Sequence, residues 1–218
     1  MIPMGGPPSA AVVTLHVWRV PLARVPQALR SCRRRTDGMV FSKGLGTGRG
    51  FLPHQADLTR WARLTTWSRT PADHAPTGAV EQWRVDLRPL ASRGRWAGQE
   101  PFGRPDEEHS GTTAVLTRAR LRPSRARQFW SAVPAVTRSL DGVAGVRVSM
   151  AIGEAPIGLQ GTFSVWDSPA HLRAFAHAGA HREVIARTPE ARWYAEELFA
   201  RFAVEASAGT LDGRDPLA

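Results

Sequence analysis

The chain reads as an α+β protein built from two fused ferredoxin-like βαββαβ repeats, whose sheets face each other and close one barrel with helices outside. Three observations predict this. A strand, a proline-opened helix, an Asp-Gly pair and a second strand occur at Val12–Lys43 and again at Thr112–Met150. The third strand of each half ends in tryptophan, Trp67 and Trp166, followed by Thr70-Pro71-Ala72 and Ser168-Pro169-Ala170. The offset between matching features stays at about one hundred residues, as duplication requires. The expected organisation is a disordered lead over 1–10, a first half over 11–90, a linker over 91–110, a second half over 111–206 and a disordered tail over 207–218.

In order, Val12–Val20 is rich in β-branched and aromatic residues and predicts a strand. Pro21 opens a helix carrying Leu22, Val25, Leu29 and Cys32 to Asp37-Gly38, and Met39–Lys43 is the second strand. GLGTGRG (44–50) alternates glycines after a strand but leads into Phe51-Leu52-Pro53, with no GK[ST]; it reads as a flexible loop, not a phosphate cradle. Leu58–Ser68 is a third strand, and Thr70-Pro71 starts a helical stretch broken by Pro76 and Gly78. The segment around 91–110 is dense in Pro, Gly and charge, which marks the linker. Thr112–Leu121 is a strand. Pro123 opens a helix bearing Phe129, Trp130, Val133 and Val136, with Pro134 inside it.

Composition narrows the function classes. The 218 residues carry a formal net charge of +10, yet Lys43 is the only lysine and the arginines are spread along the chain, so no nucleic-acid partner is expected. The one dense run, Arg33–Arg35, closes a helix, where cations complement the dipole. Cys32 is the only cysteine, which rules out a disulfide framework and a thiolate cluster. No apolar run is long enough to span a bilayer, and MIPMGGPPSA lacks the basic and apolar regions of a signal peptide. A cytoplasmic protein with no transmembrane segment is expected. No serine elbow, paired-carboxylate signature or dinucleotide fingerprint is present.

The chemistry concentrates in Gly145–Val204. Gln160, Thr162, Ser164 and Trp166 alternate with Gly161, Phe163 and Val165 along one strand. Ser168-Pro169 caps a helix with Leu172, Phe175 and Ala176. A second short helix follows, with His181, Val184, Ile185 and Thr188 on one stripe, ending before Pro189. His181 is thus either a core histidine satisfied by its neighbours or an axial ligand to heme iron, since imidazole suits iron. His16 is a distal acid–base group if it faces the barrel interior, and Arg118, Gln160, Thr162 and Ser164 are the polar residues expected there.

The strings KGLGTGRGF (43–51), RPLASRGRW (88–96), LTRARLRPSRARQFWSAVP (116–134), IGEAPIGLQGTFSVW (152–166) and HREVIARTPEARWYAEELFARF (181–202) resemble the spheroidene monooxygenase family of carotenoid-modifying enzymes. The resemblance spans about residues 12–204. It implies a dimeric α+β barrel type of fold and a heme b cofactor. It also implies O2, an external electron donor such as ferredoxin, and hydroxylation of an apolar small molecule that can proceed to a ketone. His181 falls within the family's motif and is the implied iron ligand. The site expected on this basis has Arg118, Gln160 and Ser164 as catalytic residues, and Lys43 and Trp166 beside His181 at the cofactor. The same barrel could host a heme lyase or dehydratase of aldoxime-dehydratase type, or a cofactor-free monooxygenase or binding protein. A homodimer is a further possible assembly.

Overall fold

The computed structural model describes residues 12–71, 75–138, 140, 142–154, 161–177 and 193–218. Eight antiparallel strands close a barrel: β1 (Val12–Arg19), β2 (Met39–Gly48), β3 (Ala56–Trp67), β4 (Glu81–Gly94), β5 (Thr113–Leu121), β6 (Val146–Gly153), β7 (Gly161–Trp166) and β8 (Tyr194–Gly209). The order around the barrel is β1-β3-β2-β6-β7-β5-β8-β4. Each half therefore has the ferredoxin-like order, and the sheets join through like edges, β2 to β6 and β4 to β8, as a pseudo-twofold relation requires. Closure leaves no long unpaired edge.

Strand alternation sorts the side chains. Val13, Leu15, Val17, Leu64, Trp83, Val85, Leu116, Phe163, Val165 and Phe202 point inward and form one apolar core that fills the barrel. Helices α1 (Val25–Arg33), α2 (Ala126–Arg138) and α3 (Pro169–Ala176) lie outside. Ser168 caps α3 by accepting from the His171 amide, with Pro169 at the first helical position.

Four expectations need correction. The glycine-rich stretch after Lys43 continues β2 to Gly48, because Gly44 leaves room for the α1 side chain above it. Strand β4 runs on to Gly94, past the boundary set at residue 90, and absorbs Pro89 beside a register shift against β8. Residues 207–218 continue β8 and then fold across one end of the barrel. There Leu211 and Leu217 pack on the core and Asp212 pairs with Arg19 and Arg60. The helical stretch expected after Thr70 is a turn over 77–78, the residues before it (72–74) lying outside the described set, as do the lead and the short helix over 181–188.

Candidate functional site

The expected site residues divide between two faces of the second sheet. Arg118 follows Ala114 and Leu116 on the inward face of β5 and is 8% exposed. It donates to Glu154 at 2.7 Å and to Glu196, and stacks over Trp96 at 5.5 Å. Lys43 joins this cluster through Glu154 at 2.8 Å and lies over the Phe41 ring. Burial would raise the Glu154 carboxyl, but bonds from Lys43 and Arg118 hold it below the usual carboxylate range. Glu196 is likewise lowered against its burial, by the Gly98 and Ala97 amides and by Arg118. Two cations thus meet two carboxylates at the barrel rim, and Arg118 is a clamp between β5, β6 and β8. Its guanidinium is committed to anions and not offered to a bound oxygen species.

Ser164 lies on the opposite, outer face, where it accepts from Trp166 Nε1 at 2.9 Å. Thr162 shares that face by alternation with Phe163 and Val165, which point inward. Trp166 is buried against Phe175 of α3, with ring centroids 5.2 Å apart. His16 is also outward, 4.8 Å from the Trp18 ring, so it is not a group of the barrel interior. The interior is packed with apolar side chains, and the distal pocket expected there is absent among the described residues. Gln160 and His181 lie outside the described residues. Arg118 and Lys43 on one side and Ser164 and Trp166 on the other cannot share one site.

Matching strand registers show what the outer face of the second half offers. His16 pairs with Arg63 in the first half where Thr117 pairs with Thr162 in the second. Gly44 beside Arg63 corresponds to Ala151 beside Thr162, and Thr65 to Ser164. Trp18 corresponds to Ala119. In the first half Arg63 and Trp18 fill the space under α1, while His16 lines a cleft with Arg84, Asp86 and Ser207. Arg63 stacks over Trp18 at 5.7 Å and donates to the Ser31 carbonyl at 2.9 Å, and α1 lies close on β2 and β3. In the second half the floor is threonine, serine and alanine. Thr117 and Ser149 are exposed, Thr162 and Ser164 half-buried, and α2 meets the strands only sparsely.

The wall over this floor is aromatic. Phe129 of α2 sits 5.0 Å from Trp130 and 5.9 Å from both Trp193 and Tyr194. Phe129, Trp130 and Val133 are only half-buried. Burial, with Glu197 nearby, pushes the Tyr194 phenol up to about 12, so it stays protonated. Sequence reasoning missed this floor, although the repeat held the signal: large residues of one copy stand where the other has small ones. It also missed Glu154, Glu196 and Trp96 as partners of Arg118, since their contacts cross between strands far apart in sequence.

A duplicated α+β barrel, filled inside, with an outer sheet face of small residues beside an aromatic cluster among the described residues, is the class that fold and site define. No protein-family model matches the chain. The spheroidene monooxygenase of Rhodobacter capsulatus is 34% identical over 195 residues, covering 80% of this chain and 78% of that protein. That of Rubrivivax gelatinosus is 35% identical over 189 residues, covering 81% and 73%. The chain belongs to the spheroidene monooxygenase family, and so to the oxidoreductases of monooxygenase type. Among solved structures, an aldoxime dehydratase complexed with butyraldoxime superposes with a TM-score of 0.54 at 8% identity, over 89% of this chain and 79% of that one, a likeness of fold alone. No helix among the described residues is long and apolar enough to cross a membrane.

Proposed function

We propose that this protein is a heme b-dependent monooxygenase that hydroxylates or ketonises an apolar small molecule, using O2 and an external electron donor. One observation carries the reading: the second half lacks the side chains that fill the matching space in the first. A flat macrocycle fits a floor of small residues under a loosely seated helix, and family membership supplies the oxidative chemistry. Thr117, Thr162 and Ser164 would lie beneath it, Phe129, Trp130 and Val133 beside it, and His181, on the segment after α3, would be its ligand.

The chemistry a bound heme would supply is activation of O2, one oxygen atom going into a C–H bond and the other to water with two electrons from the donor and two protons. The chain's own part is binding and exclusion. The rings of α2 and of Trp193–Tyr194 present apolar surface to an apolar substrate and keep water from it. The hydroxyls of Thr162 and Ser164 supply short-range hydrogen bonds without a fixed charge. Arg118 and Lys43 keep the barrel rim closed on its inner side and take no part at the reacting carbon.

An absorption spectrum of the purified protein, before and after dithionite and CO, tests the reading. A Soret band that shifts on reduction with CO, and is lost in His181→Ala, supports it. A colourless protein that takes up no hemin contradicts it. Fold kinship with the aldoxime dehydratase supports a second reading, a heme lyase, and turnover without any reductant would favour that one.

A further inference from the structure

The barrel end where β1 finishes carries an unusual surface. Among the described residues four large apolar side chains are exposed, and three of them converge here: Leu22 (68%), Leu58 (52%) and Val80 (67%). The backbone brings them together. Val20 donates to the Thr59 carbonyl and Val80 donates to the Arg19 carbonyl, so the starts of β3 and β4 flank the end of β1. Leu58 and Val80 therefore stand about 10 Å apart across β1, by the spacing of paired strands, with Leu22 in the turn between them. Singly exposed aliphatic residues need no explanation, but three at one rim do.

Arginines surround them. Arg24 lies against Gly78, two residues before Val80. Arg49 is 76% exposed and reaches Asp57 with one nitrogen, and Arg214 is exposed. Arg49, Arg60, Arg147 and Arg214 also line a cleft of about 710 Å³ beneath the C-terminal segment. The carboxylates at this end are largely engaged. Asp57, Glu81 and Asp212 all pair with Arg19, Asp212 also with Arg60, and Asp215 accepts from the Leu217 amide. Arg24 and Arg214 stand at this rim outside those ion pairs, and Arg49 is mostly exposed beside Asp57.

We propose that this end docks on an anionic lipid bilayer, with Leu22, Leu58 and Val80 entering the headgroup region while Arg24, Arg49 and Arg214 meet lipid phosphates. Aliphatic side chains beside arginines match such a surface, where apolar insertion and attraction to lipid phosphates add. The purpose rests on the apolar-substrate reading above, since an apolar substrate partitions into the bilayer.

Sedimentation with phosphatidylcholine vesicles, with or without about one-third phosphatidylglycerol, tests this at physiological ionic strength. The wild type is expected to bind the anionic vesicles at least about tenfold better than the neutral ones. The charge-neutral variant L22S/L58S/V80S is expected to lose about tenfold in binding to the anionic vesicles, with an unchanged melting temperature because the three side chains are exposed. R24S/R214S gives a second reading, a loss of about fivefold or more. No sedimentation, equal binding to both vesicles, or a triple variant that binds like the wild type overturns the proposal. So does a triple variant that changes oligomeric state instead, which would assign the face to a second copy. The assay needs no cofactor, so a missing Soret band with vesicle binding intact would defeat the heme reading alone.

Discussion

The two halves share a fold and differ in what lies outside their sheets. In the first, Arg63 and Trp18 occupy the space beneath α1, and Arg63 binds carbonyls at that helix's C-terminal end. In the second, the corresponding residues are the small Thr117, Thr162 and Ala119, and among the described residues α2 is held mainly by rings near its start. Inside the barrel the contrast reverses: the first half presents Val17 where the second presents Arg118. Duplication supplied two equivalent platforms. One carries large side chains beneath its helix and the other small ones, which is the difference the proposed ligand seat rests on.

Several substitutions break or sharpen this contrast. Arg118→Val puts the first half's residue into the second and takes the cation from Glu196, while Glu154 keeps Lys43. It should cost about 1.5–3 kcal/mol, the range for hydrogen bonds to charged groups, read as a fall in thermal or urea midpoint. Gly44→Ala should cost about 1–3 kcal/mol by overpacking, because the new Cβ would stand 2.6 Å from Cys32 Cβ under the tightly seated α1. The matching site in the second half is already alanine, and Ala151→Gly should change stability by well under that amount.

Acid gives a third test. Burial would raise Asp57, but bonds from Thr59 and Arg49 bring its carboxyl down to about 2 from the usual 3.8. A depressed folded value means the stabilisation is complete above the unfolded value and is lost as pH falls from about 4 toward 2. Asp57→Asn should flatten that part of the stability profile by about 1–2 kcal/mol. The smallest effect is at Cys32. Burial pushes its thiol up to about 11 against the pull of Arg63, so alkylation near neutral pH should be slow in the folded protein and rapid after denaturation.

Much of the fold was legible. The repeated proline-opened helices, the Asp-Gly stops and the paired Trp67 and Trp166 gave the duplication, and strand composition located nearly every strand. The orientation of β7 was not legible. Its two faces carry Phe163 with Val165 and Trp166 respectively, so both are apolar and alternation alone cannot say which enters the barrel. That ambiguity put Thr162 and Ser164 inside, when they face α3 and the outer surface. Gly44–Gly48 was misread for a related reason: glycine there relieves contact with a helix instead of making a turn. The open outer face was encoded only in a difference between the copies, which becomes visible once registers are paired residue by residue.

The central claim is that the outer face of the second sheet is the ligand seat because it lacks the first half's fillers. Hemin titration of the wild type and of T117H/T162R, followed at the Soret band, tests it most directly. The account predicts saturable uptake by the wild type and at least about tenfold weaker uptake by the double variant, with both proteins melting cooperatively. Equal uptake by the two would place the seat elsewhere and contradict the account.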